Sequence, residues 1–385
     1  MKNCSFGNKV PLKEKNMKKT IEIHSSAIDR RNFLKSAGAG AIGIAGMGIL
    51  TSAEPAEQKK VVKRAKKERL QQMASNSYAV NQLFKRRSFP GRTERPEITQ
   101  LKQKYGELTL IDFPQFTRNT YPGVTAMDLW SSLFGDINDD SMFTRIERDG
   151  QTRFGDFDPS TPSSKHYLEQ LAVKIASTGT KAIHISNNAP RNIADPNDEL
   201  RREGIRVAKL WLDAAKMIGV LSMRVNTGGP QIIPVSVIKD GYPQNTEIVP
   251  YLKNAIESFK EMADYGEKVG VKVTIENHWG LAADPINIRI IINEVNSPFC
   301  EASPDFSNWE HEYMLYNGLE VLIPMARTMC HAKRWTRFPE VDISRCVRVL
   351  NDAGYKGYIS VEYEAGGDPV EGTLKLLEDV TEALI

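Results

Sequence analysis

The sequence predicts an α/β protein whose parallel strands close into a (β/α)8 barrel, one domain over residues 73–385 preceded by an N-terminal signal and a linker. Two observations carry this expectation. Short β-rich runs alternate with longer amphipathic patterns, which implies parallel pairing through right-handed crossovers. The runs number eight, enough for the sheet to close. An open doubly wound sheet is the competing architecture, but no Gly-x-Gly-x-x-Gly turn follows an early strand, so a dinucleotide site has no support.

The chain has 385 residues with 41% apolar and 26% charged content, ordinary for a globular protein with a sizeable core. Its net charge of +3 comes from basic residues concentrated before residue 96, and the remainder gives no basic nucleic-acid surface.

Residues 17–53 form the first element. Ser26 to Lys35 reads SAIDRRNFLK and is followed by AGAGAIGIAGMGIL and Thr51-Ser52-Ala53. Paired arginines, a weakly apolar stretch and a small-residue exit resemble a twin-arginine export signal, which implies a folded, periplasmic product. The glycine-diluted run is too short for a membrane span of ~20 strongly apolar residues, so no stable membrane insertion is expected after cleavage. Met17 is an alternative start. Cys4 precedes the signal, and Cys300, Cys330 and Cys346 are odd in number without a framework spacing, so no obligatory disulfide is expected.

Residues 54–72, EPAEQKKVVKRAKKERLQQ and its neighbours, read as a solvated helix or linker, with a basic docking helix as the sharper alternative. The strand expectations then run Asn76 to Phe84, Val124 to Trp130, Lys181 to Ser186, Val220 to Asn226, Val271 to Glu276, Phe299 to Asp305, Thr328 to Lys333 and Gly357 to Glu362. Helical spacing marks Asp198 to Ile218, Val249 to Val269 and Glu310 to Met325, with Gly219, Gly270 and Gly354 where C-caps belong. Thr227-Gly228-Gly229-Pro230 reads as a turn.

Catalytic groups of such barrels stand at the C-terminal strand ends. Four consecutive strands, the fifth to the eighth, end on Glu276, Asp305, His331 and Glu362. One such residue alone is most simply a solvated strand end, but four converging on one barrel mouth point to a metal site. Carboxylate oxygens with a single imidazole suit one divalent ion, Mn2+ in preference, with Mg2+, Co2+ and Zn2+ also compatible. Residues two apart share a strand face, so His278 accompanies Glu276 and Lys333 accompanies His331, while Cys330 turns to the helix layer. Trp335 and Arg337 in the following loop, with Arg224 and Asn308, complete the candidates for binding a polyhydroxylated substrate; each has a plain hydrogen-bonding role as its alternative.

At these residues the chain resembles the sugar phosphate isomerase/epimerase family of xylose isomerase-like TIM barrels, over nearly all of the sequence after about residue 73. The matching motifs are IENH with Glu276, PDFSN with Asp305, CHAK with His331 and VEYE with Glu362, and Arg337 lies six residues after His331 as in ketohexose epimerases. Asn308 departs from the His usual in epimerases, and Glu301 is an unusual charge for a barrel interior. The resemblance implies proton abstraction beside a carbonyl, with a metal lowering the cost of the enediolate and Glu276 and Glu362 as the catalytic pair.

Phosphorylated sugars are scarce outside the cytoplasm, so an exported member is expected to take a neutral sugar or glycoside. The family resemblance leaves open isomerisation or epimerisation, and a 3-keto-glycoside lyase that eliminates the aglycone with the same metal and base. A phosphodiesterase resembling endonuclease IV would need further histidines, and a non-catalytic sugar-binding barrel would be expected to lose ligands. Homo-oligomers are common in such families.

Overall fold

A computed structural model describes residues 63–86, 94–148, 150–230 and 247–385. The expected export signal and residues 54–62 of the expected linker lie outside the described residues. Ten strands are described: β1 (Met73–Asn76), β2 (Ala126–Trp130), β3 (Phe143–Arg148), β4 (Gln151–Phe157), β5 (Lys181–Ser186), β6 (Ser222–Arg224), β7 (Lys272–Ile275), β8 (Cys300–Ala302), β9 (Met329–Trp335) and β10 (Tyr358–Glu364). Eight of them form one all-parallel sheet in the order β8-β7-β6-β5-β2-β1-β10-β9. A parallel bridge between Asp305 and His331 joins its two ends, so the sheet curls shut into the expected barrel. Among the described residues no helix is long and apolar enough to cross a membrane.

Several expected elements shift. The first strand is Met73–Asn76 rather than Asn76 to Phe84, because the Asn76 side chain accepts the Tyr78 N–H and turns the chain. Val80, Leu83 and Phe84 are buried by packing after that turn, with a short helical turn at Asn81–Leu83. The Glu310 to Met325 helix shortens to Met314–Leu322, and the chain tightens through Ile323–Met325 where Pro324 cannot donate an amide. By contrast the long helices lie at Asp198–Met217 and Val249–Val269. Asn197 caps the first by accepting the Glu199 and Leu200 amides, and Gly270 ends the second at φ 80°.

The β3–β4 antiparallel hairpin adds to the expected elements. Its signal in the sequence is Asp149-Gly150 between alternating runs, a common tight-hairpin dipeptide.

Alternation along the strands grades the barrel interior from apolar to polar. Ala74, Ala126 and Met329 pack together near the N-terminal ends with Ile183 and Tyr358. Two residues further along β1, β2, β9 and β10 stand Asn76, Asp128, His331 and Ser360, joined by hydrogen bonds. Glu301, the charge unexpected in a barrel interior, is paired: Lys272 Nζ donates to it at 3.0 Å and the Thr328 amide at 2.9 Å. Burial of such a charge requires this satisfaction.

Residues Lys66–Gln71, at the end of the charged linker, form a helix tied to the barrel. Arg69 is buried and donates to the Thr381 and Leu384 carbonyls, while Gln72 donates to the Gly357 carbonyl. The described cysteines Cys300, Cys330 and Cys346 are buried free thiols.

Candidate metal centre and active site

Three of the four expected ligands meet. One ligand atom each from Glu276, Asp305 and His331 lies within 4.8 Å of the others, and all three residues are buried. The local sequence explains the convergence. Asn277, on the opposite face to Glu276, accepts the Asp305 amide at 2.7 Å and donates to the Asp305 and Asn308 carbonyls, locking the loop after β8 against β7. Asp305 Oδ1 accepts the Ser307 and Asn308 amides, which aims Oδ2 into the barrel mouth.

Among the described residues, Asp305 Oδ2 and His331 Nδ1 are buried without a hydrogen-bond partner. Buried polar atoms without partners are costly, and a cation that takes the place of the protons on Asp305 and His331 is the simplest compensation. Burial pushes the Asp305 carboxyl up to about 8, with Glu362 and Glu276 adding repulsion that Lys333 only partly offsets. Burial opposes charge on His331, yet Glu276 and Asp128 raise it to about 10. Among the described residues, the cavity and the shell beneath it set five carboxyl groups, Asp128, Glu276, Asp305, Glu362 and Glu364, against Arg224, Lys333 and a protonated His331, so that protons held by Asp305 and His331 balance the site while it carries no metal. A dication in place of those two protons keeps that balance, and two hard carboxylates with one imidazole suit its chemistry.

Glu362 does not join the cluster, contrary to the four-ligand expectation. In the register of β9 against β10, Lys333 lies beside Glu362, and its ammonium donates to Oε1 at 2.8 Å. Asn76 donates to Oε2 at 3.1 Å, and the nearest approach to His331 Nε2 is 3.9 Å. Both oxygens are thereby engaged at the edge of the centre.

Arg224 and Asn308, expected as substrate contacts, are both bound to Glu276. Arg224 Nη1 donates to Oε2 at 2.6 Å and Asn308 Nδ2 to Oε1 at 2.7 Å. Burial works against the Glu276 charge, but Arg224, His331 and His278 hold the carboxyl well below the usual carboxylate range. Glu276 is therefore ionised throughout the physiological range.

These residues line a cavity of about 250 Å3 with Tyr78, Trp130, Ser186, Asn188, His278, Lys333, Trp335, Glu362 and Glu364. Tyr78 meets Trp130 edge to face at 4.8 Å between centroids and donates to Glu364 at 2.7 Å. The Lys333 ammonium lies 5.2 Å from the Trp335 centroid. Arg337 is not among the lining residues, because its guanidinium donates back to the Glu310 carbonyl and packs beside Trp335 and Phe338.

Asp128, Tyr78, Trp130, Asn188 and Glu364 were not singled out from the sequence. Asp128 carried a usable signal, a lone carboxylate inside the apolar run TAMDLW. Tyr78 carried none, since it follows a strand whose position depended on the Asn76 turn.

Residues 143–380 match the xylose isomerase-like TIM barrel family. The chain belongs to that family. None of the curated proteins matches the chain. Among solved structures, a 3-keto-D-glucoside 4-epimerase from E. coli is similar at 12% identity and TM-score 0.54, covering 80% of this chain and 98% of its own. An L-ribulose 3-epimerase is similar at 11% identity and TM-score 0.54, covering 81% and 95%. A xylose isomerase-like TIM barrel protein from Mycobacterium smegmatis, in complex with magnesium, is similar at 15% identity and TM-score 0.52, covering 82% and 98%. At these identities the likeness is one of fold.

Proposed function

We propose that this family member is a divalent-metal-dependent isomerase or epimerase that moves a proton beside the carbonyl of a non-phosphorylated sugar. The observation that carries the reading is the pair of unpartnered buried atoms, Asp305 Oδ2 and His331 Nδ1, grouped with Glu276, which itself lines an aromatic-edged cavity. Glu276, Asp305 and His331 would hold the ion, with Mn2+ favoured and Mg2+, Co2+ or Zn2+ compatible. When bound, the ion supplies charge stabilisation for the oxyanion that develops as the C–H bond breaks.

The chain's own residues supply the rest. Trp335, Tyr78 and Trp130 offer apolar ring faces and edges to a sugar, and His278, Asn188 and Ser186 offer polar atoms. Glu276 and Glu362 are the proposed proton-transfer groups. Asn76 and Lys333 orient Glu362 towards the cavity, and Arg224 keeps Glu276 ionised. Among the described residues, both cations lining the cavity already have carboxylate partners, Arg224 with Glu276 and Lys333 with Glu362 and Glu364. That pairing neutralises both charges, so neither cation draws a phosphate, which supports a neutral substrate.

A second reading, elimination of the aglycone from a 3-keto-glycoside, is favoured by Lys333. Its buried ammonium borders the cavity beside Glu362, where it can donate a hydrogen bond to a departing oxygen. Incubation in D2O with Mn2+ separates the two. Deuterium uptake into ketohexoses without aglycone release is the outcome expected for an isomerase or epimerase; aglycone release from 3-keto-glucosides supports the lyase, and neither result with any sugar overturns both. The Arg30-Arg31 pair further supports export to the periplasm, where replacing both by Lys should retain the protein in the cytoplasm.

A further inference from the structure

Asp128 stands on β2, on the far side of the barrel from the β7–β8 ligands, and is fully buried. Its carboxylate is surrounded by donors. His331 Nε2 lies 2.9 Å from Oδ2, Ser360 Oγ donates to Oδ2 at 2.8 Å, and Asn76 Nδ2 donates at 3.1 Å. Ser186 Oγ lies 3.0 Å from Oδ1 and 3.1 Å from Oδ2. Burying a charge at the centre of a barrel costs several kcal/mol before its partners compensate, and an apolar side chain would close the same space more cheaply. The arrangement needs a reason beyond stability.

The His331 ring provides one. With Nε2 bound to Asp128, the opposite nitrogen, Nδ1, is turned to Glu276 Oε2 at 3.7 Å and has no hydrogen-bond partner. An imidazole held at one nitrogen by a carboxylate has its orientation set and its other nitrogen made a better ligand. We propose that Asp128 is a positioning residue of the metal centre: it anchors the His331 ring through Nε2–H and so presents Nδ1 to the space shared with Glu276 and Asp305. Asn76 extends the device, because its amide nitrogen also donates to Glu362 at 3.1 Å. The orientation of the ligating imidazole and that of the proposed proton-transfer carboxylate are thus set by one buried network. This inference rests on the metal-centre reading above.

The test uses the full chain, Mn2+ in competition with a chelator, and Cu2+ as a spectroscopic probe. Asp128→Asn preserves the side-chain shape and should weaken Mn2+ binding by about 10- to 100-fold. Glu301→Gln, which neutralises an equally buried carboxylate at the opposite end of the barrel, should leave the affinity within about twofold. In the Cu2+-loaded protein, the pulsed EPR signal of the remote imidazole nitrogen should shift in Asp128→Asn and stay unchanged in Glu301→Gln. If Asp128→Asn does not fold, Ser360→Ala removes one donor to Asp128 and should cost about fivefold in affinity.

Unchanged Mn2+ affinity in folded Asp128→Asn, or in Ser360→Ala where that variant stands in, overturns the inference. An equal loss in Glu301→Gln, or an unmoved nitrogen signal, also overturns it. Wild-type protein that binds neither ion overturns the metal-centre reading as well, whereas tight wild-type binding with an unaffected Asp128→Asn variant overturns this inference alone.

Discussion

The Arg224 guanidinium and the Glu276 carboxylate meet at 2.6 Å with both side chains almost wholly withdrawn from water. Neither charge has an alternative partner in solvent, so each depends on the other. Removing one member of a buried pair costs about 3–5 kcal/mol, whereas replacing both with apolar groups is often neutral. Arg224→Met should therefore destabilise the protein by about 3 kcal/mol or more, and Arg224→Met/Glu276→Leu should recover most of that loss. Urea unfolding of the two variants and wild type checks the coupling; additive losses would contradict it.

Metal binding and proton transfer should separate between the two glutamates. Glu276→Gln removes a member of the three-residue cluster and should weaken Mn2+ binding by more than the roughly 100-fold that loss of a supporting residue can cost. Glu362→Gln should retain most of the affinity, because Glu362 lies outside that cluster, yet lose about 10²- to 10⁴-fold in deuterium exchange. Calorimetric Mn2+ titration and exchange rates in D2O check both halves, and equal loss of metal in the two variants would restore a four-ligand centre.

Acid should destabilise the barrel through His184 and His278, whereas His331, raised to about 10, acts in the opposite sense. Burial pushes His184 down to about 4 and His278 down to about 3. Between the unfolded value near 6.5 and these native values, the unfolded chain takes up protons that the native protein refuses. Their contribution to stability is thus intact above about pH 6.5 and is lost progressively as the pH falls to about 4. Thermal melts from pH 7 to 4.5 should show the decline, and His184→Gln should flatten it; parallel curves would show that His184 plays no part.

The loop carrying Asp305 is backed by a close contact in the helix layer. A Cβ added to Gly318 would sit 2.4 Å from the ring of Trp309, a fully buried residue next to Asn308. Gly318→Ala should cost about 1–3 kcal/mol through overpacking. It should also weaken Mn2+ binding by displacing the 305–309 loop. A melting temperature and Mn2+ affinity equal to those of wild type would show that the indole can move aside freely.

The (β/α)8 architecture and seven of the eight barrel strands to within a few residues were legible in the sequence, whereas His331 and Glu362 lie inside β9 and β10 rather than at their ends. Strand periodicity and a polar residue closing an apolar run are local properties. Alternation also placed His278, Lys333 and Glu301 on inward faces. What escaped depended on partners distant in the chain. Glu362 is diverted by Lys333 across the β9–β10 register, and Arg337 is withdrawn by a carbonyl at Glu310. The first strand was misplaced because a single side-chain-to-backbone bond at Asn76 outweighed the strand propensity of the run that followed.

The sequence by itself determined which chemical groups the strands carry, because alternation and turn chemistry act over a few residues. Only the tertiary structure decided which of those groups are free. Arg224, Asn308 and Lys333 are committed to carboxylates brought from other strands, while Asp305 Oδ2 and His331 Nδ1 are left facing one another's space. The physical reason is that hydrogen-bond and charge satisfaction in a barrel interior is settled between strands, by curvature and register, among residues as far apart in the chain as Asp128 and His331.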